Sequence, residues 1–154
     1  MEDSGPAARL LARLSGDTEA PRPVEAKTVE VIRAQRNTNL WNGVYTSAQA
    51  ERGQAAYKLY CQACHAENLA GGKDAVGRAP ALIGEKVLGR KDVNNLFSYI
   101  RTWMPEDDRG SLDDHTVIDI VAHILRQNAF PAGSEELVAD SESLKKIEIV
   151  KKPE

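Results

Sequence analysis

The stretch Cys61-Gln62-Ala63-Cys64-His65 decides how the rest of the chain is read. Two thiols three residues apart lie on one side of a helical turn, with an imidazole immediately after the second. C-x-x-C-H is the signature of covalent haem attachment, in which each thiol forms a thioether with a haem vinyl group and the histidine reaches the iron from beneath. Two rival chemistries fit less well. A structural zinc site needs about four nitrogen or sulfur ligands. The chain offers two Cys and three His (His65, His115, His123), with no second pair at close spacing. A thioredoxin-type pair should follow a strand and open a helix, whereas this pair closes a helix.

Working outward, Thr46 and Gln49 form a capping-box pattern, and Gly53, Ala56, Tyr57 and Tyr60 repeat at i, i+3, i+4, i+7, so the spacing predicts a first helix running into CQACH. Residues 66–91 hold Gly71, Gly72, Gly77, Gly84, Gly89 and Pro80 without a clear period. A loop of that length inside a domain is expected to wrap something. Asp92 reads as the N-cap of a second helix, with Val93, Leu96, Phe97 and Ile100 on one face and Pro105 as its stop. Ser111, with Asp114, is expected to open a third, whose apolar stripe is Val117, Val121, Ile124 and Leu125, widened by Ile118 and Ile120, with Pro131 and Gly133 as stops. No alternating strand pattern occurs, so the expected class is all-α. The expected organisation is an N-terminal tail or linker over 1–42, a single domain over 43–133 and a charged C-terminal tail over 134–154 that straps the surface or frays.

If His65 is the fifth iron ligand, the sixth must come from elsewhere. Apart from Met1, Met104 is the one methionine, 39 residues after His65 and beside Pro105. A thioether is soft and favours ferrous iron, which raises the reduction potential of a His/Met pair. The alternative is a core gap-filler, but Met104 stands just before a proline rather than in a helical stripe. His115, among Asp113 and Asp114, is expected on the surface. His123, mid-helix, is expected to pack or make a local hydrogen bond.

Composition sets the bounds. A chain of 154 residues suggests one domain with tails. Aromatics are 5% of it, a thin supply of large core side chains that an apolar cofactor would complete. A net charge of -3 argues against nucleic acid as a partner. No run approaches the roughly 18 to 20 apolar residues of a membrane span, and Ala7–Leu14 is too short and too basic for the core of a signal peptide. Covalent haem attachment normally follows export, so the chain is expected to be periplasmic or otherwise exported and to be read as a mature form or a piece of a longer protein.

CQACH (61–65), GRAPAL (77–82), YIRTWMP (99–105) and DIVAHILRQNAFPAG (119–133), in that order and spacing, resemble the class I cytochrome c family over roughly residues 43–133. The likeness is greatest to bacterial cytochromes and cytochrome domains associated with quinoprotein-type dehydrogenases. That resemblance implies three main helices around one covalently bound haem c, with Cys61 and Cys64 as attachment points and His65 and Met104 as iron ligands. It implies that Pro80 offers its carbonyl to the Nδ1–H of His65, that Leu82 and Leu96 pack near the haem plane, and that Gly53 and Tyr57 lie where the first and last helices cross. Similar proteins usually carry an aromatic residue, often Tyr, where this chain has His123. The implied function is one-electron transfer without substrate chemistry, between a dehydrogenase donor and an oxidase or other cytochrome as acceptor. The alternatives are a haem domain of a larger redox enzyme, or a ligand sensor with a displaceable Met104.

Overall fold

A computed structural model describes residues 39–72 and 79–153. The expected N-terminal tail, and Gly77 and Arg78 of the GRAPAL run, lie outside the described residues. Within them the regular structure is helical: α1 (Ser47–Tyr60), α2 (Gln62–His65), α3 (Glu85–Leu88), α4 (Val93–Trp103), α5 (Asp114–Gln127) and α6 (Ser141–Lys145), preceded by a 3-10 turn, Leu40–Asn42. The only extended pairing among them is two isolated bridges to Glu148, from Asn39 and from Asp92. The fold is all-α.

Local chemistry explains where each helix begins. Thr46 Oγ1 accepts from the amide of Gln49 at 3.1 Å, which is half of the expected capping box. The other half is absent because Gln49 is used elsewhere. Its side chain is 1% exposed and makes a two-way clamp on Leu137, donating to the carbonyl at 3.0 Å and accepting from the amide at 2.8 Å. Asp92 caps α4 as expected, accepting from Asn95 N at 2.8 Å. The third long helix starts later than the sequence suggested: its cap is Asp113, not Ser111, and accepts from Thr116 N at 2.8 Å. A carboxylate is the stronger acceptor at a helix N-terminus, and this bond holds the Asp113 carboxyl below the usual range. Leu112, buried beneath the preceding turn, uses the two residues gained. The same helix ends at Gln127, ahead of Pro131, with Asn128 as its C-cap. Inside the segment expected as one long loop, α3 makes a single further turn.

Helices α1 and α5 cross at Gly53. A Cβ there would sit inside the van der Waals shell of the Asp119 carbonyl and 3.1 Å from the Cβ of His123, so only glycine admits this approach. Tyr57 and His123 meet one turn along, ring centroids 5.2 Å apart. On the outer side Arg52 bridges Asp119 at 3.1 Å and Glu136 at 2.9 Å. The buried stripe of α5 (Val117, Ile120, Val121, Ile124, Leu125) forms the centre of the core, with Leu96 and Phe97 of α4 against it.

Residues 134–150 are bound to this core despite their charge. Leu137, Leu144, Ile147 and Ile149 are all buried. Val93 N donates to Ile147 O at 3.0 Å and Ile149 N to Lys91 O at 3.1 Å, so the segment runs along the start of α4. Trp41 Nε1 closes the end by donating to Val150 O at 3.1 Å.

His123 is 2% exposed. Its Nδ1 is buried without a hydrogen-bond partner, so it packs against Tyr57 and the expected local bond is not formed. Burial, helped by the nearby Arg126 charge, pushes its pKa down to about 4. The folded state therefore resists a proton that the unfolded chain accepts near pH 6.5. Stability is full above that pH and falls as the pH drops from about 6.5 to about 4, by up to about 3 kcal/mol. His123→Phe keeps the ring contact and should flatten that pH dependence in urea titrations. Gly53→Ala should lower stability by about 3 kcal/mol through forced separation of α1 and α5, read as a lower urea midpoint.

Candidate functional site

The end of α1 delivers Cys61, whose amide donates to Tyr57 O at 2.8 Å. The backbone then re-enters one helical turn, α2, with His65 N donating to Cys61 O at 2.9 Å. The turn presents Cys64 to solvent and leaves Cys61 half-buried, and the two are not joined in a disulfide. His65 is 7% exposed. Tyr57 fixes the exit of this turn: its hydroxyl donates to Ala66 O at 2.6 Å. Ala66 and Leu69 both adopt positive φ, 67° and 61°, a strained state that persists only where surrounding contacts hold it. Leu69 is held by complete burial and by accepting from Leu82 N at 2.7 Å.

These contacts fold residues 79–82 over residues 65–71. Gly71 N donates to His65 O at 2.9 Å, and a Cβ on Gly71 would come within 2.6 Å of Ala79 O. The outcome is the contact implied by the family resemblance: His65 Nδ1 lies 2.8 Å from Pro80 O. A carbonyl can only accept, so Nδ1 carries the proton and Nε2 is left with its lone pair free. A metal-binding histidine is prepared in this way.

Leu82 is half-buried against the core, and Leu96, on α4, is 2% exposed. Met104 is half-buried against the same core, directly after α4, its amide donating to Ile100 O at 3.0 Å. The turn after it is tied back by Arg101, which bonds Asp114 at 2.7 Å and Gly110 O at 3.0 Å. Cys61, Leu82, Leu96 and Met104 thus reach one core from three separate segments. His115 lies on the surface as expected.

Asn128 belongs to this arrangement and was not singled out by the sequence. From the end of α5 its Nδ2 donates to Leu82 O at 3.0 Å and Ile124 O at 2.8 Å, and its Oδ1 accepts from Gly84 N at 2.9 Å. It fixes the strand of loop that carries Pro80. Its position three residues past the last member of a strongly periodic stripe suits a C-cap, but does not reveal the loop it holds.

The donor set fits a haem better than the rival chemistries. Among the described residues no group of three or more His, Cys, Asp or Glu is placed to hold a metal ion. Burial pushes the Cys61 thiol up to about 12, which disfavours the thiolate needed for thiol exchange. Asn128→Ala should cost about 2 kcal/mol through the orphaned Gly84 amide and Leu82 carbonyl, and speed amide exchange at Gly84 while α1 and α5 keep their protection.

A search of curated proteins and a search of solved structures returned no match to this chain. A family model described as cytochrome c oxidase, cbb3-type, subunit III matches residues 48–124. The match begins at the first turn of α1, contains CQACH and Met104, and ends within α5, so it coincides with the elements that build the site. A c-type cytochrome domain implies haem c and a role in electron transfer, and on this match the chain belongs to that cytochrome family.

Proposed function

We propose that the chain is a single-haem c-type cytochrome that carries one electron at a time. The observation that supports this most directly is the 2.8 Å contact between His65 Nδ1 and Pro80 O. It sits on the residue that completes C-x-x-C-H and orients Nε2 for an axial bond. Haem bound here would supply a one-electron Fe(II)/Fe(III) couple. Cys61 and Cys64 would anchor it as thioethers, His65 and Met104 would be the axial ligands, and Leu82 and Leu96 would shield its faces from water.

The protein's part is to keep this site stiff. Tyr57 and the Pro80 carbonyl each restrain one side of the His65 turn, and Asn128 holds the loop at Leu82 and Gly84 that follows Pro80. A ligand set that moves little between oxidation states keeps reorganisation small. Shielding by the core and a thioether ligand both favour the ferrous form. A sixth ligand from Met104 would leave no open iron position, which favours carriage of electrons over catalysis.

The donor is proposed to be a dehydrogenase of the quinoprotein type, on the sequence likeness alone. The family description names an oxidase subunit, which supports an oxidase or another cytochrome as acceptor. The proposed thioether attachment supports a mature protein outside the cytoplasm, in the periplasm or an equivalent compartment.

The test is a visible spectrum of protein produced with haem-attachment machinery. Sharp low-spin bands on reduction, with a weak ferric sulfur-to-iron band, are expected. Cys61→Ala with Cys64→Ala should leave no haem bound after acid–acetone extraction. Met104→Ala should give a high-spin spectrum, a lower potential and new carbon monoxide binding. A wild-type protein that binds carbon monoxide at neutral pH would replace the carrier by a sensor, and one that takes up no haem would end both readings.

A further inference from the structure

Two large aromatic rings stand in water on the outer face of α4, one turn apart. Tyr99 is 44% exposed and Trp103 48%. Each has a guanidinium over it: Arg90 is 4.9 Å from the centre of Tyr99, and Arg109 is 5.4 Å from that of Trp103. Between α4 and α6 this face opens into a cleft of about 500 Å3, lined by both rings and by Arg90, Lys91 and Lys145. Its lining comes from α4, α6 and the residues just before α4, and none of it from the His65 turn.

The charge of the cleft runs against that of the chain. The chain carries -3 overall, yet three of the four charged groups lining the cleft are cations. The fourth, Asp92, is 7% exposed and is spent in capping α4. Lys145 does pair with Glu142 at 3.1 Å, but both side chains are more than half exposed, and such pairs hold their partners weakly. Arg90 is held flat by Asn95 Oδ1 at 2.7 Å and by the Tyr99 ring, so it is ordered in advance of any contact. The acidic run Glu106–Asp108 begins three residues after Trp103, and its Glu106 pairs with Arg109 at 3.8 Å through exposed side chains, a contact that solvent weakens.

Trp, Tyr and Arg are the residues on which protein contacts concentrate their energy, and the rest of the lining is small and polar, as in brief, wet encounters. Resting on the electron-carrier reading above, we propose that the outer face of α4 is the docking surface for an acidic redox protein. Tyr99 and Trp103 fill the centre of the contact, and Arg90, Lys91 and Lys145 meet the partner's carboxylates. Trp103 directly precedes Met104, so a partner seated here is next to the residue assigned as the sixth ligand. A second copy of the chain could offer Glu106–Asp108 to the same cleft, and the experiment below separates that outcome from an acidic redox partner.

The experiment uses the haem-loaded protein and an acidic blue-copper protein as probe. One electron passes from the ferrous protein to copper(II), leaving ferric protein and copper(I). Lys91→Glu with Lys145→Glu should slow this reaction about tenfold at low ionic strength and much less at about 0.3 M salt. Oxidation by a small cobalt(III) complex should change by less than about twofold, which separates docking from damage to the haem site. Amide shifts on titration with the probe should cluster at Lys91, Tyr99, Trp103 and Lys145. An unchanged protein-to-protein rate, or shifts centred elsewhere, overturns the proposal. Self-association in light scattering that is lost both in that double variant and in Asp107→Asn with Asp108→Asn overturns it in favour of a second copy. If neither oxidant reacts, the carrier reading fails, while the shift map with the same probe still decides whether the face binds acidic protein.

Discussion

Where α1 passes α5, the Gly53 backbone lies against the Asp119 carbonyl with no room for a side chain. Two of the supports around His65 depend on that approach. It brings Tyr57 into contact with His123, and Tyr57, once buried there, has its hydroxyl aimed at Ala66, the residue after His65. It also sets the distance from α1 to the far end of α5, from which Asn128 reaches the loop around Leu82 and Gly84. The helix crossing and the His65–Pro80 hydrogen bond are therefore two ends of one set of contacts. A change at the first is felt at the second without touching the imidazole.

That dependence explains which parts of the molecule could be read in advance. Helices α4 and α5 were legible because each carries an apolar face of matching period, and α1 and α4 because Thr46 and Asp92 are good caps, although Tyr60, read as the last member of the α1 face, is 47% exposed. The start of α5 was misplaced because Ser111, Asp113 and Asp114 are all capping residues, and only the burial of Leu112 chooses among them. Gln49 looked like half of a capping box, but its partner is 88 residues away and leaves no local trace. Among the site residues, Cys61, Cys64 and His65 announce themselves by spacing and Met104 by its scarcity. Pro80 came from the family likeness, and its carbonyl meets His65 as that likeness implied. Asn128 was invisible because its work is done by side-chain bonds to a loop more than 40 residues away.

His123 shows how a local departure is absorbed. The imidazole keeps a tilted ring contact with Tyr57 but leaves Nδ1 without a partner. The cost is that of an unsatisfied polar atom in the core, and it becomes conditional on pH because the atom can be protonated. Packing at the centre of the helix crossing has been retained at the expense of acid tolerance.

The segment from Gly133 to Val150 has a consequence for how the chain comes together. Its amide and side-chain contacts reach back to Tyr45, Gln49, Lys91 and Val93, so the first and last parts of the described chain meet across nearly its whole length. Contacts of such high sequence separation form late, because the loop they close is long. The early helices can nucleate as they emerge, but Gln49 has no partner and the start of α4 has no cover until residues 137–149 arrive. Residues 133–150 thus seal the fold, and a chain lacking them would keep the whole CQACH turn yet lack the layer that closes over the N-terminal ends of α1 and α4.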